Sequence, residues 1–134
     1  MALISERLVV NAVLAKLNTG TVTAYLSEGP SPAAPPTVVL HPLTGQYVGP
    51  LGNPDRDLVA EFQLTCIGET SEQAILVHDL TSSLILRTAV TGSGFVTHPM
   101  WQIPGTQQPV LRDDDLAEPL FYVTSQWIAH AIPN

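Results

Sequence analysis

Residues 58–67 alternate in the way that a strand with one buried face requires. An apolar run at 37–43 precedes this segment, and a long loop rich in glycine and proline separates the two. We expect the two strands to pair as antiparallel neighbours around that loop. The face predicted to be buried on the second strand comprises Leu58, Ala60, Phe62, Leu64 and Cys66.

Two stretches show the three- and four-residue apolar spacing of amphipathic helices. The first begins after Ser5, which can cap it, and runs to about Leu17. The second follows Thr70-x-x-Gln73, the pattern of a capping box. The predicted buried stripe of the first helix comprises Leu8, Val9, Ala12, Val13 and Leu17, and that of the second comprises Ala74, Leu76, Val77, Leu80 and Leu84.

Shorter strands complete the predicted fold. Residues 21–26 and the closing segment 120–131 alternate with period two, whereas 95–99 and 101–103 are typical of edge strands interrupted by proline. Four prolines at 27–36 predict a loop or extended segment. Together the elements predict a single domain, residues 1–134, of the α+β class, with a mainly antiparallel sheet and two helices packed on one face.

Charged residues are scarce: they make up 13% of the chain, against 45% hydrophobic residues. This is about half the usual share of charged residues, which favours an assembly that covers part of the surface over a monomer with scattered apolar side chains. The net charge is −7, and the five Lys and Arg are dispersed. Specific DNA binding is therefore not expected, although an acidic surface suits the wall of a channel through which DNA slides. No apolar run is long enough to span a membrane.

The sequence carries no recognisable catalytic motif. Cys66 is the lone cysteine, so no internal disulfide can form, and its apolar strand predicts a buried thiol. The segment Asp55-Arg56-Asp57 lacks the glycine and glutamate of a calcium loop. We therefore predict no catalytic, cofactor-binding or metal-binding residues. The dispersed histidines, none of which has metal-binding spacing, are His41, His78, His98 and His130.

One long segment resembles a known family. From the strand at Thr37 it continues as HPLTGQYVGPLGNPDRDLVAEFQLTCIGETSEQAILVHDLTSSLI. This order of strand, PDRD loop, strand and "GET…EQA" helix is similar to that of the tail terminator proteins of long, non-contractile bacteriophage tails, closest to those of actinobacterial phages. The resemblance covers most of the chain and rests on the overall pattern.

The resemblance implies a structural role in the virion, at the neck of the tail, after assembly in the host cytoplasm. Such proteins form a six-membered ring on the last ring of the tail tube and stop its polymerisation. They then present a surface to the head-side neck protein, and DNA passes through the hole without specific binding. The implied partners are thus copies of the same chain, the tail tube protein and a neck protein.

The long loop supplies the candidate contacts with neighbouring subunits or with the tube. Tyrosine and arginine are frequent interface anchors, and apolar residues in a surface loop indicate a covered surface. A second candidate segment, residues 94–108, contributes two aromatic residues that could equally pack in their own core. The candidate interface residues are Tyr47, Val48, Leu51, Asp55, Arg56, Asp57, Phe95 and Trp101.

Two alternatives remain open from the sequence. Another head–tail neck protein, such as a head-completion or stopper protein, could share the fold and the ring symmetry. A small ligand-binding or enzymatic α+β domain would use the loop as a lid and would depend on His41, His78 or His98. Replacing those histidines by glutamine would abolish activity in the second case and would leave ring assembly nearly intact otherwise.

Overall fold

The computed structural model describes residues 3–27, 35–105, 108–113 and 119–134. Most of the proline-rich loop predicted at 27–36 and most of the acidic run at 113–115 lie outside these ranges. In chain order the described elements are α1 (Glu6–Leu17), β1 (Ala24–Leu26), β2 (Thr37–Pro42), β3 (Gln46–Val48), β4 (Asp57–Gly68), α2 (Ser71–Ile85), β5 (Thr91–Gly92), β6 (Phe95–Thr97), β7 (Trp101–Gln102), β8 (Leu111–Asp113) and β9 (Leu120–Ile132).

A long antiparallel ribbon of β4 and β9 forms the centre of the sheet, with Leu58 paired to Ala131 at one end and Gly68 to Phe121 at the other. The strand order is β1-β2-β4-β9-β6-β5; β3 also pairs with β4, and β7 and β8 also pair with β9. The predicted antiparallel pairing of β2 with β4 is confirmed. The fold is α+β, as predicted, but the sheet is mixed because β1 runs parallel to β2. Apolar alternation identifies strands without giving their direction.

The buried face of the ribbon follows the predicted alternation. On this face the β4 residues and the β9 residues from Ser125 onward are almost fully buried, whereas Phe121 and Val123 at the start of β9, and the residues between the buried positions, are half-buried. Cys66 belongs to this buried face, and burial raises the pKa of its thiol to about 12. The predicted inert thiol therefore follows directly from the strand register. The buried residues of the two strands include Leu58, Ala60, Phe62, Leu64, Cys66, Ser125, Trp127, Ala129 and Ala131.

Both helices begin at the predicted caps. The Ser5 hydroxyl accepts a hydrogen bond from the backbone N–H of Leu8 at 3.4 Å, and the Thr70 hydroxyl accepts one from Gln73 at 3.1 Å. The side chain of Gln73 reaches back and accepts from the backbone N–H of Glu69 at 2.6 Å, so the second cap is reciprocal. These bonds satisfy backbone donors that a helix start leaves without partners.

The predicted core stripe of α2 is wrong at Leu76 and Leu80, which are 53% and 40% exposed. The buried residues of this helix are Ala74, Val77, Thr81 and Ile85, with Leu84 half-buried beside them. The contact at Gly68 explains which face of α2 is buried, because a Cβ at Gly68 would lie 2.5 Å from the backbone N of Ala74. The first turn of α2 therefore lies directly on the end of β4, and small side chains occupy the contact.

This orientation of α2 predicts losses of stability of different size for substitutions at two adjacent residues. We expect Val77→Ala to lower the free energy of unfolding by on the order of 1–2 kcal/mol, because Val77 is fully buried. Leu76→Ala deletes more carbon atoms but should cost less than about 1 kcal/mol, because its side chain is exposed. Urea unfolding of both variants tests the orientation, and a larger loss for Leu76→Ala would contradict it.

Candidate interaction surface

Residues 49–56, which connect β3 to β4, form a tightly turned loop that we call the 49–56 loop. The backbone N–H of Asn53 donates to the carbonyl of Pro50 at 2.9 Å, and that of Arg56 donates to the carbonyl of Asn53 at 3.3 Å. Gly49 allows this folding, because a Cβ there would clash with the backbone carbonyl oxygen of Asn53. Two successive turns thus hold the loop in one shape.

The base of the loop is fastened to the N-terminal helix. The Tyr47 hydroxyl donates to the backbone carbonyl of Ile4 at 2.7 Å. Nearby, a carboxylate oxygen of Glu6 accepts from the backbone N–H of Gly45 at 2.5 Å. Tyr47 also packs against the core from β3, which pairs with the beginning of β4. The structure therefore assigns Tyr47 a bond within its own domain that positions the loop.

A cluster of polar side chains lies at the C-terminal end of the loop, where β4 begins. Asp57 is buried, and its carboxylate accepts from the Arg56 guanidinium at 2.8 Å and lies 3.2 Å from Nε2 of His130. The hydrogen bond from Arg56 lowers the pKa of Asp57 below its usual value; burial opposes this effect, and the contact with His130 adds to it. His98 packs edge-on against His130, with ring centroids 5.0 Å apart. The arrangement fixes the end of the loop to β9.

The lowered pKa of Asp57 predicts an acid-sensitive contribution to stability. A carboxyl whose folded-state pKa is depressed stabilises the fold above its unfolded pKa of about 4 and loses that contribution as pH falls through the folded value. We expect Asp57→Asn to cost about 1–2 kcal/mol at pH 7, and the difference from wild type to shrink below pH 4.

Asp55→Asn is the matched control for Asp57→Asn, because Asp55 is exposed and lies only two positions earlier, in the 49–56 loop. Its free energy of unfolding should stay within about 0.5 kcal/mol of wild type at both pH values. Denaturant unfolding at pH 7 and pH 3 measures both variants. An equal loss for Asp57→Asn at both pH values would show that the carboxylate charge is not responsible.

The structure separates the predicted interface residues into four groups. Leu51 and Asp55 are exposed on the 49–56 loop together with the partly exposed Arg56, and the Leu51 side chain is fully exposed at the turn. Tyr47, Val48 and Asp57 lie at the base of the loop and are buried or half-buried. Phe95 is fully buried, with its ring beside Gly92, so we leave it out of the candidate surface. Trp101 is 40% exposed but lies on β7, away from the loop.

Trp101 belongs to a cleft that the sequence did not reveal. Leu86, Arg87, Pro99, Met100, Trp101, Gln102 and Pro104 line an open cavity of about 530 Å³ at the end of α2. Leu86 and Arg87 are exposed, and Arg87 has a positive φ of 56°, an unfavourable conformation for a residue with a side chain. In the sequence, only an aromatic residue between two prolines, Trp101, pointed to this region. The cleft itself could not be predicted, because the pairing of β7 with β9, which are distant in sequence, creates it.

The described residues offer no metal centre. Within residues 3–27, 35–105, 108–113 and 119–134, no three or more His, Cys, Asp or Glu side chains are placed to hold a metal ion. The structure does bring His98, His130 and Asp57 together, which their separation in sequence concealed. This cluster contacts Arg56 and the backbone of β9, and such contacts suit a role in stabilising the fold. In the same described part of the chain, no helix has the length and apolar character to cross a membrane.

Comparison with known proteins identifies the fold. No protein-family model matches the chain, and no curated protein matches it. Among solved structures, the chain is similar to a chain in one described as "Virion of native gene transfer agent (GTA) particle", with a TM-score of 0.70. The sequences are 14% identical, and the similarity covers 96% of each chain. At this level of identity the likeness establishes a shared fold over the whole length.

Proposed function

We propose that this protein is a structural component of a phage-like virion that forms a ring on the end of a tail tube. In this role it stops tube polymerisation and presents an attachment surface to the head side. The observation that carries the proposal is the similarity to a chain of a gene transfer agent virion, which extends over 96% of both chains. The family resemblance of residues 37–85 favours the terminator among virion proteins and a ring of six copies.

The surface of the domain supports a role in assembly. Leu51 and the outer leucines of α2 are exposed, and the chain contains few charged residues to keep such surfaces apart from other proteins. The 49–56 loop is held in shape before binding, so a contact would lose little conformational entropy. These features suit a protein that acts by binding, and the acidic net charge of −7 suits a channel that does not retain DNA.

Growing tail tubes provide the direct test. The purified protein is added to tube protein from the same genome during polymerisation, and electron microscopy records tube length and tube ends. We expect shorter tubes that carry a ring at one end. Tubes that grow to the same length, with bare ends at a molar excess of the protein, would contradict the terminator role. If the protein leaves the tube ends bare and binds the head-side connector instead, it is a stopper protein.

A further inference from the structure

The strand that leads into the 49–56 loop and the strand that carries Trp101 lie on opposite sides of the β4–β9 ribbon. β9 pairs with β4 from Leu58 to Gly68, so β3, which pairs with residues 57–59 of β4, must lie on the other side of β4. By the same reasoning β7 lies on the far side of β9, because β4 already occupies the near side at Trp127 and Ile128. One copy therefore presents the loop on one side of the ribbon and the cleft on the other.

The loop presents an apolar tip and an acidic group. The side chain of Leu51 is fully exposed, and it follows Pro50 at the start of the first turn. The exposed carboxylate of Asp55 has no ion-pair partner among the described residues. Arg56 is engaged with Asp57, so Asp55 is the exposed charge of this loop that is free to bind elsewhere.

The cleft presents complementary groups. Leu86 is 46% and Trp101 40% exposed, and Arg87, which also lines the cleft, has no ion-pair partner in the described part of the chain. The backbone N–H of Arg87 donates to the carbonyl of Met100 at 2.8 Å, and that of Met100 donates to Thr88 at 3.0 Å. These bonds hold Arg87, the residue directly after the cap of α2, in the left-handed conformation that is common at helix ends, and so fix the backbone that carries its side chain.

The dimensions of the two parts agree. A cavity of about 150 Å³ lined by apolar side chains is enough to take up benzene, which has more carbon atoms than a leucine side chain. The cleft, at about 530 Å³, has room for Leu51 and part of the turn that carries it. With the leucine against Trp101 and Leu86, the exposed carboxylate of Asp55, four positions later in the same loop, supplies the charge opposite to that of Arg87.

We propose that the 49–56 loop of one copy docks into the Leu86–Arg87–Trp101 cleft of the next copy. The two surfaces are different and lie on opposite sides of the β4–β9 ribbon, so the contact is head-to-tail, which gives a ring when the rotation between successive copies closes. This inference rests on the proposed ring-forming function and identifies the contact that builds the ring. The exposed leucines of α2 lie outside this contact and stay available to another partner.

Cysteine cross-linking tests the contact. A chain carrying both Leu51→Cys and Trp101→Cys is treated with a short bismaleimide, alone at high concentration and in the presence of tubes. The natural Cys66 is fully buried and does not compete. We expect a ladder of covalent multimers, because each copy contributes a loop to one neighbour and a cleft to the other. Leu51→Cys alone should give no ladder, and neither should Leu51→Cys combined with Leu76→Cys, which places the second cysteine on α2.

Charge exchange provides a second measurement. Asp55→Arg and Arg87→Asp should each weaken self-association at least ten-fold in analytical ultracentrifugation, and the double variant should recover most of the loss.

The absence of a ladder both alone and with tubes, or wild-type association of the single charge variants, would overturn the contact. If such variants still capped tubes, the proposed function would stand with a different subunit contact. A ladder from protein that fails to cap tubes would instead remove only the tube-capping role.

Discussion

Replacing Trp127 by alanine is expected to lower the free energy of unfolding by about 3–5 kcal/mol, a large share of the 5–15 kcal/mol typical of a domain. Trp127 is fully buried on β9, directly opposite Phe62 of β4. Its indole N–H donates to the hydroxyl of Ser125 at 2.9 Å, so the polar atom is satisfied inside the core. The alanine variant would leave a cavity at the centre of the ribbon and a hydroxyl without its partner.

Trp101→Ala is the matched control, because the chain contains two tryptophans and the other is 40% exposed. We expect it to cost only about 1 kcal/mol, because Trp101 is 40% exposed and lines an open cleft, so its removal leaves no enclosed cavity. Guanidinium unfolding followed by far-UV circular dichroism measures both variants without relying on tryptophan fluorescence. Similar losses for the two variants would contradict the placement of Trp127 as a central core residue and of Trp101 on the surface.

The sequence predicted the parts of the fold whose pattern is local. The alternation in β4 and β9 identified their buried faces, and the Ser5 and Thr70 caps identified the starts of both helices. The rotation of α2 could not be predicted in this way, because leucine and valine stripes lie side by side on it. The close contact of Gly68 with the first turn of the helix decides between them, and that contact depends on tertiary structure.

The candidate surface was predicted less completely than the fold. Residue type suggested that Tyr47 was an interface anchor, yet its hydroxyl bonds to Ile4 across more than forty residues of sequence. A separation of 73 residues in sequence hid the approach of His130 to Asp57, which the register of β4 with β9 produces. Leu51 was recognisable because an apolar residue between proline and glycine has no local core to join, and the structure places it in solvent.

The ends of the loop and the turns between them have different roles. Tyr47 and Asp57 hold its two ends to the domain, whereas Leu51 and Asp55 extend from the turns between them. A change at the ends should therefore reduce the stability of the domain, and a change in the turns should affect association alone. The proposed ring depends on the shape of the turns, since their exposed side chains can reach a neighbour only if the backbone presents them correctly.

Gly49→Ala is expected to reduce self-association and tube capping at least ten-fold while the domain stays folded. A Cβ at Gly49 would clash with the carbonyl oxygen of Asn53 and would lie 3.1 Å from the backbone N of Arg56. Neither backbone atom can rotate away as a side chain would, so the turn must open and the position of Leu51 must change. The cost of such crowding, about 1–3 kcal/mol, falls on an exposed loop rather than on the core.

Gly52→Ala is the control for Gly49→Ala, because a Cβ at Gly52 would meet no atom within 4 Å. It makes the same chemical change three positions later in the same loop and should leave association at the wild-type level. Sedimentation of both variants measures association, and circular dichroism verifies the fold. If Gly49→Ala assembles as well as Gly52→Ala, the shape of the loop is not what joins the copies. If both variants lose assembly, the partner surface tolerates no added atom at the tip of the 49–56 loop. The tip would then bind a more closely fitting surface than the open cleft around Trp101.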